Sequence, residues 1–103
     1  VMRELTFTGR VFTGTEAQAY GFATRVCENP RDEALTVAHE IAGKSPHATR
    51  AAKRLLNLSL DADAATILLE ETKEQVALIA TPNQIEAVMA NMQKRTPNFA
   101  DVA

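Results

Sequence analysis

The sequence predicts a mainly α-helical chain with one or two very short strands. Apolar residues recur at helical spacing through most of the chain after residue 28. The periodic stretches follow residues that commonly begin a helix, such as Asn29 before Pro30 and Thr81 before Pro82. The loops between them are only a few residues long, so we expect neighbouring helices to pack as antiparallel or steeply crossed pairs.

The first 28 residues carry two helix signals and one strand signal. Residues 1–8 are spaced like the last turns of a helix, which Gly9 is suited to close in a left-handed cap. Residues 15–18 have the spacing of a capping box, which predicts a helix of about two turns that Gly21 ends. The alternating, partly β-branched residues 22–27 then predict a short strand.

Four helices are predicted in the rest of the chain. The first runs from Asn29 to Gly43, and the second begins at Ser45. Asp61 is the predicted cap of the third, and Thr81 is the predicted cap of the fourth. The apolar residues of the fourth helix share one face: Ile85, Val88, Met89 and Met92. We expect this face to pack against other parts of the protein.

Composition and charge narrow the possible functions. The chain has 11 basic and 13 acidic residues and a net charge of -2, which does not suggest a nucleic-acid partner. It has neither an apolar run near the ~20 residues that span a bilayer nor a basic-then-apolar leader. Its lone cysteine, Cys27, cannot form an internal disulfide. We therefore expect a soluble cytoplasmic protein that binds neither membrane nor nucleic acid.

The two histidines are the first candidates for acid–base chemistry. His39 and His47 lie on different predicted helices, and no carboxylate stands at a spacing that would join them. A structural role is therefore the favoured interpretation of both. The sequence contains neither HxxxH nor CxxC, so we predict no metal site.

Two charged stretches each have a functional and a structural interpretation. They are the acidic stretch Glu70, Glu71 and Glu74 and the basic stripe Arg50, Lys53 and Arg54. Paired carboxylates can serve acid–base catalysis when buried, and a basic stripe can bind phosphate. Charge runs of this kind are more often solvated helix faces, which is the interpretation we favour for both.

A basic pair, Lys94 and Arg95, ends the fourth predicted helix. Cations are favoured at a helix C-terminus by the helix dipole, so spacing alone leaves two interpretations open. The pair is either an anion site or a charge-matched helix end. By themselves the residues support a helical module without a complete catalytic constellation.

A set of short motifs nevertheless runs in order through the chain. They are MRELTFTGR at 2–10, Phe12, Glu16-Ala17, Gly21-Phe22, Arg25-Val26, IAGKSP at 41–46, Ala52-Lys53, Glu86, and KRTPNF at 94–99. Together they resemble the C-terminal part of the crotonase superfamily, the enoyl-CoA hydratases and isomerases, across essentially the whole chain.

The resemblance implies a fold of repeated ββα units followed by a helical C-terminal region that drives trimer formation. Residues 1–28 would hold the end of that core, and residues 29–103 the C-terminal helical region. The implied partners are an acyl-CoA thioester and further copies of the chain, as a trimer or a dimer of trimers. No cofactor is implied beyond acyl-CoA as substrate.

The implied chemistry is the stabilisation of a thioester enolate by two backbone N–H groups, with acidic side chains moving protons. No residue here matches a catalytic one, so we expect the 103-residue chain alone to be inactive. We also expect it to be a fragment, either natural or left by proteolysis. The alternative is a non-catalytic helical oligomerisation module derived from the family.

One binding residue is implied by the resemblance. Lys94 matches a lysine that in some relatives reaches the coenzyme A of the neighbouring subunit. Asn91 and Gln75 stand where some relatives have aromatic residues near the ligand. The chain also has Asn83 at a usually acidic cap position, and Glu86-Ala87 for the Glu-Gly pair of the family.

Overall fold

The computed structural model describes residues 1–101 and contains six α-helices in that range. They are α1 Met2–Thr8, α2 Gly14–Ala19, α3 Pro30–Ala42, α4 Pro46–Leu58, α5 Ala64–Leu78 and α6 Pro82–Met92. The prediction of a mainly α-helical chain is confirmed.

The short strand predicted at residues 22–27 is not formed, and no strand occurs within residues 1–101. A strand needs a neighbour to pair its backbone groups, and no neighbour is available here. Instead, the N–H groups of Phe22 and Ala23 donate to the carbonyl oxygen of Ala17 at 2.8 and 3.2 Å. These bonds fold the segment back onto the end of α2.

The first two helices end as predicted, but α2 begins earlier. Gly9 has φ 60° and donates its N–H to the Leu5 carbonyl, which is the expected left-handed cap of α1. Thr13, rather than a residue of 15–18, caps α2. Its hydroxyl accepts from the Glu16 N–H at 3.2 Å, and the Glu16 carboxylate accepts from the Thr13 N–H at 2.9 Å.

Side-chain caps also begin two of the later helices. Asp63, not Asp61 as predicted, caps α5, because its carboxylate accepts from the Thr66 N–H at 2.8 Å. The Thr66 side chain, and next the Thr66 N–H, hold the pKa of Asp63 below its usual value. Thr81 caps α6 as predicted and accepts from the Gln84 N–H at 3.4 Å.

The chain divides into two compact units, and the first comprises residues 1–37. The rings of Phe12, Tyr20 and Phe22 lie together in this unit, with centroids 5.9 to 6.4 Å apart. Arg10 joins the cluster by donating to the Tyr20 hydroxyl at 2.9 Å and to Glu16 at 3.0 Å. No residue of α1 or α2 is buried, so aromatic and charged contacts hold this unit together.

The second unit begins at Ala38 and contains α4, α5 and α6. Helices α4 and α5 pack against each other, and Arg54 of α4 makes a two-bond contact with Glu74 of α5 at 2.6 Å for each bond. Among residues 1–101, those that are buried lie in this unit: Ala51, Asn83 and Ala90. The core within the chain is therefore very small.

Candidate functional site

The site predicted from sequence lies where α6 ends. The Lys94 N–H donates to the Asn91 carbonyl at 3.2 Å, and the Arg95 N–H donates to the Ala90 carbonyl at 3.0 Å. This pair of bonds forms a Schellman motif, in which the residue after the cap is left-handed. That residue is Lys94, with φ 52°, although glycine is the usual choice there. The backbone of this turn is therefore strained at Lys94.

The two cations at this helix end differ in what they contact. Arg95 donates to both carboxylate oxygens of Glu86, at 2.5 and 2.8 Å, and its Nε donates to Gln93 at 2.7 Å. The Lys94 side chain is exposed and makes no ion pair within residues 1–101. Of the pair, Arg95 is thus a structural residue, whereas Lys94 presents its charge to solvent.

Glu86 lies on α6 and stabilises the turn that follows this helix. Besides the two bonds from Arg95, its Oε1 accepts from the backbone N–H of Asn98 at 2.7 Å. These donors lower the pKa of Glu86 from 4.5 to about 2, with the Arg95 hydrogen bond as the largest cause and the Asn98 N–H next. The group is therefore a firmly ionised anchor and is unsuited to be a general acid near neutral pH.

A second anchor lies one turn earlier on α6. The Asn83 side chain accepts from the Ala100 N–H and donates to the Ala100 carbonyl, both at 2.9 Å, and Asn83 is only 3% exposed. The residues after Arg95 are thus tied to α6 at Asn98 by Glu86 and at Ala100 by Asn83. We call residues 96–100 the tail.

His47 completes the buried contact at Asn83. The two bonds to Ala100 fix which end of the Asn83 amide is NH₂, and that nitrogen lies 3.1 Å from His47 Nδ1. His47 Nδ1 must therefore accept this hydrogen bond, which leaves the proton of a neutral imidazole on Nε2. The structural interpretation of His47 agrees with this contact. His39 lies on α3 and is exposed.

A shallow cleft of about 380 Å³ opens between the α3–α4 loop, α6 and the tail. Its lining combines small residues with the polar or charged residues Lys44, Asn91 and Arg95 and with Phe99. The sequence resemblance implies an aromatic residue in some relatives at the position of Asn91. An amide at this place offers hydrogen bonds to a ligand rather than a stacking surface.

The charged stretches of α4 and α5 lie largely at the surface, although Glu70 and Glu74 are half-buried, and some of their members pair with opposite charges. Arg54 contacts Glu74, and Lys73 contacts Glu70 at 2.5 Å. The Arg54 hydrogen bond lowers the pKa of Glu74, the opposite of the shift that a general acid needs. The interpretation of these stretches as solvated faces therefore agrees with the structure. The structure pairs neither glutamate with another carboxylate.

No metal centre or membrane span is evident in the part of the chain that the structure describes. Within residues 1–101, no three His, Cys, Asp or Glu side chains come together in a way that could hold a metal ion. In the same range, no helix is both long enough and apolar enough to cross a bilayer.

Comparisons with known proteins give the same family for almost the whole chain. It is 32% identical to a mitochondrial methylglutaconyl-CoA hydratase of Mus musculus in an alignment that covers 94% of this chain. It is 35% identical to a probable enoyl-CoA hydratase of Mycobacterium leprae and 36% identical to one of Rhizobium meliloti, each over 93% of this chain. The chain therefore resembles acyl-CoA hydratases of the crotonase superfamily along almost its whole length. The predicted resemblance is thereby confirmed.

These matches cover only part of each relative. The chain spans 33% of the length of the mouse protein and 38% of each bacterial one, about a third of the curated relatives it matches. No family model matches the chain.

Sequence reasoning missed Glu86 and Asn83 as the residues that organise the site. The signal that points to Asn83 is a second stripe on α6, opposite the apolar one, at the spacing Asn83, Ala87 and Ala90, and Glu86 lies beside it. Small residues at this spacing let a backbone segment approach the helix closely, and polar residues on the same side can bind its N–H and C=O groups.

Proposed function

We propose that this chain is the C-terminal part of an enoyl-CoA hydratase/isomerase family enzyme. Such an enzyme acts on acyl-CoA thioesters through an enolate that an oxyanion hole stabilises. This part contributes subunit contacts and one side of the coenzyme A pocket, and it holds no catalytic residue. The observation that carries the proposal is the match to proteins named as acyl-CoA hydratases along 94% of the chain.

The proposed ligand contact is the Lys94 ammonium with a phosphate of the coenzyme A bound by a neighbouring subunit. Arg95 is already committed to Glu86, so Lys94 is the cation at this helix end that can meet an anion. A lysine ammonium attracts phosphate as a point charge, and the attraction weakens with salt when it is solvent-exposed. No cofactor beyond the acyl-CoA substrate is proposed.

The test is the affinity of the protein for acetyl-CoA, measured by calorimetry at low salt. We expect Lys94→Gln to weaken binding by about 3- to 10-fold, the size of one solvent-exposed charge contact. The matched control is Lys73→Gln, because Lys73 is also an exposed helix lysine but is paired with Glu70. Unchanged affinity in Lys94→Gln would remove the proposed contact.

The proposed partner is the protein itself, as a trimer or a dimer of trimers. The large apolar residues Ile85, Val88, Met89 and Met92 of α6 are 40 to 73% exposed. Exposed apolar surface of this kind commonly lies at protein interfaces. We expect Val88→Ser to lower the mass of the assembly in light scattering, with Thr72→Ser as a conservative control. A wild-type protein that is monomeric at high concentration would contradict the proposal.

The alternative function is a non-catalytic helical module used only for assembly. The observation that favours it is the very small core, with Ala51 and Ala90 as the buried apolar residues of the described chain. Under this alternative, Val88→Ser disrupts assembly while Lys94→Gln leaves acetyl-CoA affinity unchanged. Hydration of a short enoyl-CoA by the purified 103-residue polypeptide would contradict both the alternative and the expected inactivity of this part.

We propose the cytoplasm as the compartment, on the basis of the single free cysteine, Cys27. The mouse relative is named as mitochondrial, so the mitochondrion is the competing location. Fractionation of cells that express the natural protein distinguishes the two.

A further inference from the structure

We infer that Glu86 is a positioning residue for Lys94: it fixes the turn that holds the Lys94 ammonium toward its ligand. The inference rests on the proposed coenzyme A contact and adds to it the residue that gives the contact its geometry. Glu86 itself touches no ligand in this proposal, since both of its oxygens are occupied by groups of the chain.

The first argument is the conformation of Lys94. Its φ of 52° lies in the left-handed region, where the Cβ of an ordinary L-residue is crowded. A strained residue keeps such a conformation only when its surroundings hold it there. The two backbone bonds of the helix end are one restraint, but such helix ends readily fray.

The second argument is the place of Glu86 in the chain. It lies on α6 about two turns before Lys94, and its carboxylate binds the residue directly after Lys94 through the Arg95 guanidinium. The same carboxylate accepts from the Asn98 N–H, which follows the turn. A single side chain on the helix therefore restrains the segment from Arg95 to Asn98.

The third argument is charge. The Glu86 carboxylate pairs with Arg95, and this leaves Lys94 as the cation of the pair without an ion-pair partner within residues 1–101. Without Glu86, the Arg95 guanidinium loses its two-bond partner, and the direction of the chain between the two cations is no longer fixed. The carboxylate thus sets which of two adjacent cations is presented, as well as the direction of the chain between them.

The test compares two ligands that differ in phosphate. Acetyl-CoA carries the phosphates, and acetyl-pantetheine carries the same thioester without them. We expect Lys94→Gln to reduce the preference of the protein for acetyl-CoA over acetyl-pantetheine by about 3- to 10-fold. We expect Glu86→Gln to reduce the same ratio by about 3-fold or more, and the double variant to lose little beyond the larger single effect.

The ratio separates positioning from a purely structural role. Loss of a structural contact lowers stability or affects both ligands alike, whereas loss of positioning affects only the phosphate-bearing one. Glu71→Gln is the matched control, because Glu71 is an exposed glutamate of α5 outside this turn. If Glu86→Gln does not fold, Arg95→Lys tests the same turn, since lysine keeps the charge but cannot form the two-bond contact.

Each outcome is decisive. A lowered ratio in Lys94→Gln, with wild-type ratios in Glu86→Gln and Arg95→Lys, overturns the inference and leaves the proposed function standing. A wild-type ratio in Lys94→Gln overturns the coenzyme A contact and, with it, the role inferred for Glu86. Parallel losses in the lysine and glutamate variants, with none in Glu71→Gln, support the inference.

Discussion

The two faces of α6 behave in opposite ways. The face with Asn83, Glu86 and Ala90 contacts the tail and His47, and Asn83 and Ala90 are 3% and 2% exposed. The face with the large apolar residues, such as Met92 at 73%, is exposed. A helix in a globular protein ordinarily buries its apolar face. In this helix, polar bonds organise the chain itself, and the apolar face is left for contacts with other surfaces.

Polar contacts can organise the chain in this way because they provide hydrogen-bond partners for the backbone N–H and C=O groups of the tail. An asparagine amide offers one acceptor and one donor side by side, which match the N–H and C=O of Ala100. Glu86 satisfies the N–H of Asn98 in the same way. Without these partners the tail has no regular hydrogen-bonding pattern to hold it against α6. Four variants test the contrast between the two faces.

The largest effect is expected at Asn83. Asn83→Ala removes the partners of both Ala100 groups and of His47, and it leaves a void at a buried position. We expect the free energy of unfolding to fall by about 1–3 kcal/mol, the usual cost of breaking buried hydrogen bonds. Urea denaturation measures it. Asn91→Ala, at an exposed position of the same helix, is the control, and equal effects in the two variants would contradict the contrast.

The next effect is a gain of stability at Lys94. Lys94→Gly places glycine at φ 52°, where it is not strained, and we expect a gain of about 0.5–1 kcal/mol in the free energy of unfolding. The same variant should lose the proposed coenzyme A contact, so stability and binding should change in opposite directions. Lys53→Gly, within α4, is the control and should lose stability. A loss of stability in Lys94→Gly would mean that the left-handed turn is not strained.

A smaller effect is the acid sensitivity that Glu86 confers. Its pKa is about 2 in the folded chain, below its usual value of 4.5. Between these two pH values, the carboxyl group therefore binds fewer protons in the folded chain than in the unfolded chain. Its contribution is therefore complete above pH 4.5 and is lost as the pH falls toward 2. The effect is modest because the Glu86–Arg95 pair is partly solvated.

The measurement compares urea denaturation at pH 6 with that at pH 3 in the wild type and in Glu86→Gln. Other carboxylates with lowered pKa values, such as Glu16 and Glu74, contribute equally to both proteins. We expect the variant to lose less stability on acidification than the wild type. Equal losses would show that the Glu86 contacts do not persist in solution.

The smallest effect on the folded chain is expected on the apolar face. Met92 is 73% exposed, so Met92→Ser should change the unfolding free energy of the dilute protein by less than about 0.5 kcal/mol. Assembly at high concentration should respond more strongly, since this face is the proposed interface. A stability loss in dilute protein as large as that of Asn83→Ala would mean that the apolar face is covered within the chain.

The sequence alone determined the local features of this protein. The cap at Thr81, the left-handed glycine at Gly9 and the mainly helical class follow from interactions between residues a few positions apart. The predictions that failed are also local, and they show the limit of spacing rules. Thr13 and Asp63 cap their helices in place of the nearby residues that the spacing predicted. Residues 22–27 have the alternation of a strand but no second strand with which to pair.

The tertiary structure alone decided which face of α6 is buried and which cation is presented. Asn83 meets a backbone 17 positions later and a histidine 36 positions earlier, and Glu86 meets Asn98 12 positions later. No periodicity within α6 predicts contacts with residues so far along the chain, because they depend on where the tail returns. The sequence therefore determined that Lys94 and Arg95 end a helix, and the contact of Arg95 with Glu86, 9 positions earlier, decided that Lys94 is the one of the two that presents its charge.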